Sequence, residues 1–505
     1  MVFEPNFKKV TSSVRTHIGT TQSVIELKLP TNDGEVKEVY SVGASSSVLS
    51  SEVASNVINF VGLVDFQVVY EGVSLSSLDY TAEFKDRFDS DKEIKGELIV
   101  SSNVVQVSSN VVAGEIRVTA IVEISVDAIE SKDVNVLVGV DGENVYKTTK
   151  DFSWSTYLGR AFEKLDVSGE VDISGAKKVY EVTPCVRLDR VEAKTDYVSV
   201  NGVMGVDILY ADGEEISNLK STYKEIDFAW EVAFDGVNED SGVESALSIL
   251  SSETKVSSLV NDEGVTVSID VPIEYSGYIF KSNVTSIIDD VYLESNYLSI
   301  TSENVSTMLD FDSVRFKDNI EGSAEIGEDA PFIDDVLSVS TNNLVLARSY
   351  IEGDRLTVEG VATATVIYYT KETAQASAVE IEMPFVVEEK MDMKSARVVS
   401  LSLCNIGAKS RRGKEIEVSG ELYVYADTYN EDSQMVISEL VLGEEKPMDD
   451  CSLYIYIVKP NETLWDIAKE MNVSTELILE QNPNLEMPLE AGDKLIIYKP
   501  KLMEY

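Results

Sequence analysis

The sequence contains very little histidine, cysteine or proline. Among its 505 residues there are one His, 3 Cys and 11 Pro. His17 has no second imidazole to share a zinc ion with, and nothing near it resembles a Ser-His-Asp or Cys-His pair. Cys185, Cys404 and Cys451 are odd in number and widely spaced, unlike the dense, even set of a secreted disulfide scaffold. We therefore expect reduced thiols in a cytosolic protein that holds no metal and no cofactor.

Long apolar runs and clusters of basic residues are also scarce. No stretch reaches the roughly 18 apolar residues of a membrane-spanning helix, and the N-terminal residues lack the apolar segment of a signal peptide. The formal net charge is −47 and the pI is about 4.3, whereas nucleic-acid binding needs clustered Lys and Arg. We expect a protein without a transmembrane segment that binds no nucleic acid and stays in the compartment where it is made.

What the chain has in quantity is the material of strands and hydrophobic cores. Apolar residues make up 44% of the sequence, with 23 Tyr and 15 Phe, which excludes a disordered chain despite the charge. Roughly the first 440 residues alternate apolar and polar side chains, are rich in Val, Ile, Thr and Tyr, and turn at Gly, Asn and Asp. This pattern predicts a mainly β fold, and the length allows three or four domains at about 150 residues each.

Two strand patterns in this region are copies of each other. Residues 197–210 read YVSVNGVMGVDILY and residues 355–368 read RLTVEGVATATVIY. Alignment of Gly202 with Gly360 superposes the apolar positions of both segments and their final tyrosines. A repeat of about 155 residues predicts tandem β-rich domains. The predicted domains span residues 1–145, 146–300 and 301–443.

A weaker third copy lies near the start of the chain, where Gly62 precedes Tyr70 by the same spacing. The Gly inside each copy predicts a β-bulge or a close approach of a neighbouring segment. Downstream of the copied strands, the comparison matches Trp230 with Phe385. Because repeated units offer repeated surfaces, this organisation favours a structural or binding array over a single catalytic pocket. We therefore expect that the protein is not an enzyme.

The pattern changes after residues 444–453, whose charges and single Pro indicate a linker. Residues 454–458 and 494–498 alternate as two strands, which we expect to pair in antiparallel fashion. Between them, Thr463 and Asp466 have the spacing of a capping box in front of a short apolar helix face. Ser474 is the expected first residue of a second helix. The C-terminal part of the chain, 454–500, is therefore predicted to fold as a βααβ domain.

This βααβ domain resembles the LysM family. The matching residues are Tyr456, Val458, Glu462, Thr463, Leu464, Trp465, Ile467, Ala468, Val473, Ser474, Leu477, Asn482, Pro483, Leu489, Gly492, Leu495 and Ile497. Members of the family bind glycans that contain N-acetylglucosamine, such as peptidoglycan and chitin, in a shallow groove between the loop entering the first helix and the loop leaving the second. The resemblance implies a groove formed by Asn461, Glu462, Thr463, Leu464, Asn482, Pro483, Asn484 and Leu485.

One position departs from the family pattern. Where LysM domains typically have Gly-Asp-Thr, this chain has Asn461, Glu462 and Thr463. Asn tolerates the left-handed backbone that Gly adopts freely, but it adds a side chain next to the ligand. Two alternatives therefore stay open: the groove binds a peptidoglycan-type glycan, or it has become a surface for a protein.

The order of β repeats followed by one LysM domain resembles the SPOCS-domain spore coat proteins of Clostridia and their relatives. The motifs that carry this resemblance are 358–361 (VEGV), Tyr368 and 383–385 (MPF), with their counterparts in the second repeat. It implies a structural adaptor in the mother-cell cytoplasm, at the forespore surface. Such an adaptor would recruit or anchor the coat's basement-layer ATPase, partly through LysM. The alternative is a peptidoglycan-binding protein of the spore cortex or cell wall, and a hydrolase with an unrecognised site is a more distant third.

One local cluster of basic residues stands out in this acidic chain. It consists of Lys409, Arg411, Arg412 and Lys414, between two strand patterns, so a hairpin turn is expected. The cluster is a candidate patch for an acidic partner or for another copy of the chain, with a solvated turn as the simpler interpretation. Acidic pairs such as Asp289 and Asp290 lack the spacing of a calcium-binding loop, so no metal site is predicted from them.

Overall fold

Strands dominate the computed structural model, with 79% of the chain in strands and 4% in helices. It describes residues 3–31, 35–73, 75–91, 93–213, 218–250, 253–261, 263–327, 331–370, 372, 375–447 and 453–499. The predicted mainly β fold with a C-terminal βααβ domain is confirmed. The predicted linker overlaps the last strand of the β body at one end and the first strand of the C-terminal domain at the other. Its central part, with Cys451, lies outside the described residues.

The strands of the first repeat are β1 (Glu4–Lys28), β2 (Glu38–Ala54), β3 (Val57–Glu71), β4 (Leu75–Asp89), β5 (Glu97–Val112) and β6 (Glu115–Asp141). Those of the second are β7 (Val145–Ser174), β8 (Lys178–Lys194), β9 (Tyr197–Ala211), β10 (Leu219–Ala233), β11 (Ser241–Ile249), β12 (Lys255–Asn261) and β13 (Gly264–Leu293). Those of the third are β14 (Asn296–Glu325), β15 (Asp335–Glu352), β16 (Arg355–Thr370), β17 (Gln375–Lys390), β18 (Ser395–Arg411) and β19 (Glu415–Glu445). The C-terminal domain contains β20 (Leu453–Ile457), α1 (Leu464–Met471), α2 (Thr475–Gln481) and β21 (Lys494–Tyr498).

Each repeat is a sandwich of two antiparallel sheets. In the first repeat, the sheet β1-β6-β5 packs on the meander β2-β3-β4. The second repeat packs the sheet of β7, β13, β11 and β12 on β8-β9-β10, and the third packs β14-β19-β18 on β15-β16-β17. Along β6, alternate residues from Ile116 to Val126 are fully buried between the sheets, because successive side chains in a strand point to opposite faces. Every repeat therefore has its own hydrophobic core.

The long strands extend beyond their own sandwiches. Strands β6, β13 and β19 contain 27, 30 and 31 residues, and only the first half of each lies in the core of its repeat. The second halves, with their antiparallel partners β1, β7 and β14, meet in a cluster to which all three repeats contribute. This shared cluster consists of Val10, Val134, Val136, Phe152, Trp154, Ile287, Val305 and Val436. The three repeats are therefore joined by a common core, which we call the strand junction.

Buried charges cross the interfaces between the repeats. The Arg15 side chain on β1, 6% exposed, pairs with Asp127 on β6 and lies 3.3 Å from the fully buried carboxylate of Glu244 on β11. In the third repeat, Asp427 Oδ2 lies 3.1 Å from Arg397 Nη2 and accepts a hydrogen bond of 2.6 Å from the Ser245 N–H of the second repeat. Because an unpaired buried charge is costly, these pairs favour one fixed arrangement of the repeats.

The central glycine of each meander is a point of close approach. A Cβ atom on Gly202 would lie 2.4 Å from the Phe228 ring and 2.4 Å from a backbone carbonyl oxygen of β8. A Cβ atom on Gly360 would lie 2.5 Å from the Phe385 ring and 2.1 Å from a carbonyl oxygen of β15. Strands β8 and β15 are bulged at this point. The predicted close approach is confirmed, and the bulge lies in the neighbouring strand, opposite each glycine.

The same register corrects one detail of the repeat alignment. Phe228 is paired with Gly202, and Phe385 is paired with Gly360. The residue equivalent to Phe385 is therefore Phe228, and its match with Trp230 is wrong. Trp230 stacks on Phe228 with ring centroids 4.2 Å apart. A slip of two residues leaves every side chain on its original face of a strand, so the apolar pattern does not distinguish the two alignments.

Two carboxyl groups in the second repeat are shielded from solvent. One Glu181 oxygen accepts a hydrogen bond from Thr183, and the other is buried with no hydrogen-bond partner among the described residues. Burial raises the pKa of Glu181 to about 7, and the nearby Asp79 adds to the shift. Burial also raises the pKa of Asp207 to about 7, and the charge of Glu181 adds to that shift. The folded protein therefore holds these protons more tightly than the unfolded chain does.

Loss of a buried ring from the strand junction is expected to lower the stability of the protein strongly. Phe152 is fully buried and stacks on Trp154, so Phe152→Ala should lower the free energy of unfolding by about 3–5 kcal/mol. The matched control is Phe162→Ala on the same strand, where the ring is 48% exposed. Denaturant unfolding measures both variants, and equal losses would contradict a junction core shared by the repeats.

Glu181 is expected to make stability depend on pH. Because its folded-state pKa lies above the ordinary value of 4.5, the free energy of unfolding should fall as pH rises from about 4.5 to about 7. Glu181→Gln should remove part of that fall. The control is Glu26→Gln, which removes the same charge from an exposed position. Urea unfolding across this pH range measures the slope; an unchanged slope in Glu181→Gln would show that this carboxyl is not responsible.

Candidate functional site

The C-terminal domain forms from local signals that its sequence carries. Thr463 Oγ1 accepts a hydrogen bond from the Asp466 N–H, and Asp466 Oδ2 accepts one of 2.9 Å from the Thr463 N–H. This reciprocal pair begins α1 and confirms the predicted capping box. Ser474 caps α2 by accepting from the Leu477 N–H at 3.0 Å. Strands β20 and β21 pair in antiparallel fashion, as predicted.

A small core holds the two helices on this sheet. Its buried members are Val458, Ile467, Ala468, Val473, Ile478, Leu495 and Ile497, together with Tyr292 from the β body. Leu464 and Leu485 pack against the same core while half-buried. Leu464 follows the loop that enters α1, and Leu485 lies in the loop that leaves α2. Both walls of the predicted groove are therefore anchored to one hydrophobic cluster.

The loop before α1 is held by internal hydrogen bonds. The Glu462 carboxylate accepts bonds of 2.6 Å from the Tyr456 hydroxyl and 2.8 Å from the Lys459 N–H. Burial opposes ionisation of Glu462, but these bonds outweigh it and hold the pKa of the carboxyl below its ordinary value. The backbone of Asn461 is left-handed, with φ of 62°, and its side chain is exposed. The conformation that Gly favours at this position is thus present here in an Asn.

The loop after α2 is fixed by Asn482. Its amide nitrogen donates to the carbonyl oxygens of Ile478 and Ile496, at 2.8 Å each, and its amide oxygen accepts from the Ile496 N–H at 2.8 Å. This side chain therefore joins the end of α2 to β21. Pro483 and Asn484 follow it and are both exposed.

The eight predicted groove residues thus fall into two groups. Five have defined roles in the fold of the domain, as hydrogen-bonded or partly buried side chains: Glu462, Thr463, Leu464, Asn482 and Leu485. Asn461, Pro483 and Asn484 project into solvent. A ligand in this groove would meet these three side chains, the exposed Thr463 and the backbone of two fixed loops.

The domain is docked on the β body through one face of α1. Trp465 packs edge-on against Tyr292, with ring centroids 4.9 Å apart, and its Nε1–H donates to Asp290 Oδ2 at 2.9 Å. Lys469, one turn further along α1, lies 2.7 Å from the same carboxylate. The Tyr292 hydroxyl donates to the Val473 carbonyl oxygen at 2.7 Å. The contacts come from the end of β13, so the far end of the β7/β13 strand pair carries the domain.

Lys446, just after β19, adds a second attachment. Its ammonium donates to the Leu293 carbonyl oxygen at 2.6 Å and also bonds Asn472, which ends α1. Burial lowers the pKa of Lys446. The sequence predicts none of these contacts, because no local pattern links residues so far apart in the chain. The contacts occupy α1 and the residues that follow it, and they leave the exposed tips of both groove loops uncovered.

The basic cluster lies on the predicted hairpin turn, between β18 and β19. Lys409 and Arg411 both pair with Glu417, at 3.3 and 2.7 Å. The Lys414 ammonium lies 4.6 Å from the centre of the Phe332 ring. These three side chains thus have partners within the chain. Arg412 sits at the turn itself, with φ of 52°, and is exposed.

Comparison with known proteins identifies the C-terminal domain. The LysM domain profile matches residues 456–497, so the chain contains a LysM domain there. No curated protein and no solved structure matches the chain. The LysM domain suggests binding of peptidoglycan or another carbohydrate. With eight and seven residues, the two helices of the described part fall well short of a membrane span.

Asp290 is expected to control how firmly the LysM domain is docked. Asp290→Ala removes the acceptor for Trp465 and the counter-charge of Lys469, which should weaken docking by about 2 kcal/mol. The neighbouring Asp289→Ala is the control, since Asp289 pairs with Lys150 instead. In a chain with the other two tryptophans replaced by Phe, Trp465 fluorescence should shift to longer wavelength only in Asp290→Ala. An equal shift in both variants would contradict the docking contact.

Proposed function

We propose that this chain is a non-enzymatic adaptor in spore coat assembly. The observation that carries the proposal is the orientation of the LysM domain. One face of α1 is bound to the β body through Trp465 and Lys469, while the groove loops on either side of the helix pair point to solvent. A groove held at a fixed angle on a large body suits a protein that links one macromolecule to another.

The architecture of the body supports a scaffold. Three sandwiches share the strand junction, and buried ion pairs such as Arg15 with Glu244 connect one repeat to the next. A shared core and specific buried pairs give a stiff body with one arrangement of its parts. Such a body holds the molecules attached to it at a fixed distance and orientation, which is the property that an adaptor between layers needs.

The composition of the groove favours a protein ligand over a glycan. Recognition of a sugar depends on a few well-placed polar groups that fix its orientation. In this groove the side chains of Glu462 and Asn482 are already hydrogen-bonded within the domain. Asn461 occupies the position where LysM domains typically have Gly. Its side chain limits how closely a glycan could approach the backbone of the loop. The surface that remains exposed has both polar and apolar side chains, and a protein can bind it through complementary shape.

The partner follows from the resemblance of the repeats to SPOCS-domain spore coat proteins. We propose the coat's basement-layer ATPase as the protein that the LysM domain binds, in the mother-cell cytoplasm at the forespore surface. With a net charge of −47, the chain would associate fastest with a partner that presents a basic face. The adaptor would then recruit or anchor this ATPase while its β body engages other coat proteins.

Peptidoglycan binding is the second candidate function. The match of residues 456–497 to the LysM domain and the exposure of both groove loops favour it. In that case the protein would attach to the glycan of the spore cortex or the cell wall. The left-handed backbone at Asn461 keeps the loop in the shape that a Gly would give it, so a glycan groove is compatible with the backbone.

A substitution at the exposed tip of the groove separates the two candidates. Asn484→Arg places a long charged side chain in the groove without removing a hydrogen bond of the fold described above. We expect the full-length protein with this change to bind the purified ATPase at least tenfold more weakly. Asn103→Arg, at an exposed position of β5, is the matched control and should bind normally. Affinity is measured by surface plasmon resonance.

Sedimentation with purified peptidoglycan completes the test. The adaptor proposal expects that the unaltered chain binds the ATPase and stays in the supernatant. If the chain sediments with peptidoglycan, Asn484→Arg abolishes sedimentation, and no ATPase is bound, the glycan function replaces the adaptor. ATPase binding that Asn484→Arg does not change would place the contact outside the groove and contradict this part of the proposal.

A further inference from the structure

Two of the three cysteines meet at the interface between the second and third repeats. Cys185 lies on β8 and Cys404 on β18, 219 positions apart in the chain. Their Sγ atoms are 2.7 Å apart. That separation exceeds the roughly 2.05 Å of a disulfide bond by less than an ångström. Cys404 is fully buried and Cys185 is half-buried.

Neighbouring contacts hold the two strands at this separation. The Ser402 hydroxyl of β18 donates to the Val186 carbonyl oxygen of β8 at 2.8 Å. The Arg187 guanidinium of β8 lies 4.3 Å from the centre of the Tyr423 ring on β19. The same Arg187 donates to Glu225 at 3.0 Å. The sulfur atoms therefore lie in a fixed interface between repeats, where bond formation needs little movement of the backbone.

The surroundings make the two thiols unequal. The hydrogen bond from Cys185 lowers the pKa of Cys404, with the Tyr223 hydroxyl and the Arg187 charge contributing and burial opposing. The same hydrogen bond, together with burial, raises the pKa of Cys185. The two pKa shifts run in opposite directions, so the two thiols differ in how readily they ionise. A low-pKa thiol next to a second thiol is the usual arrangement of a nucleophilic and a resolving cysteine.

We propose that Cys185 and Cys404 are a site of oxidative modification, at which a peroxide joins the second and third repeats by a disulfide bond. One sulfur of the pair, as its thiolate, attacks one oxygen of hydrogen peroxide, the O–O bond breaks, and the departing hydroxide takes up a proton to become water. The resulting sulfenic acid is attacked by the other sulfur, the S–O bond breaks, and the second water leaves with the proton of that sulfur. Two thiols and one peroxide thus give one disulfide and two waters.

The bond would lock one interface of the body and no other. The sequence has a single further cysteine, Cys451, which precedes the LysM domain and lies outside the described residues. The interfaces that the first repeat makes therefore have no thiol pair to oxidise. The site does not depend on what the LysM groove binds. Failure of the adaptor proposal would therefore leave this proposal unaffected.

The test uses the full-length protein with Cys451→Ser, so that only the pair remains. Hydrogen peroxide should lower the number of thiols that react with iodoacetamide under denaturing conditions from two to none. Subsequent dithiothreitol should restore both. Peptide mass mapping should find one cross-linked species that contains Cys185 and Cys404 and has lost two hydrogen atoms. The oxidised chain should also unfold at a higher temperature than the reduced one, because the bond restricts the unfolded chain.

Single variants supply the controls. Cys185→Ser and Cys404→Ser should both give no cross-linked peptide and no rise in unfolding temperature with peroxide. Circular dichroism before oxidation verifies that each variant is folded. The proposal is overturned if the pair remains fully alkylatable after peroxide, if both sulfurs are oxidised to separate acids, or if the disulfide joins two chains.

Discussion

The structure depends on the mutual burial of three long antiparallel strand pairs, β1/β6, β7/β13 and β14/β19. Each one leaves its own sandwich and carries an apolar face that finds cover only against the other two, through residues such as Val136, Ile287 and Val436. No single repeat can therefore complete its own hydrophobic surface. Since burial of apolar surface is the main driving force of folding, the three repeats stabilise one another at the junction, although each has a separate core elsewhere.

The position of the LysM domain follows from this junction. Strand β13 passes through the junction at Ile287, and Tyr292 and Leu293, which receive the domain, follow five and six residues later. The hydrogen bonds to Trp465 and Val473 are thus made by a strand end that the other two repeats hold in place. The arrangement of the three repeats at the junction therefore fixes where the LysM domain is attached.

Local features of this fold were predictable from the sequence, and long-range ones were not. The capping box at Thr463 and the alternation along β6 depend on residues close together in the chain, so pattern alone indicates them. The equivalence of Phe228 and Phe385 depends on strand register, and the alternation of apolar residues does not distinguish registers that differ by two residues. The contact of Trp465 with Asp290 joins segments 175 positions apart and has no local signal at all.

The groove shows why binding and folding are difficult to separate in a domain this small. Asn482 was predicted as a ligand contact, yet its three hydrogen bonds hold α2 against β21. Thr463 begins α1, and Leu464 is part of the core. A substitution at any of these positions would weaken the loop that shapes the groove before it removed a contact with the ligand. Loss of binding there reports on the fold, and recognition itself can be assigned only through side chains that the fold does not use.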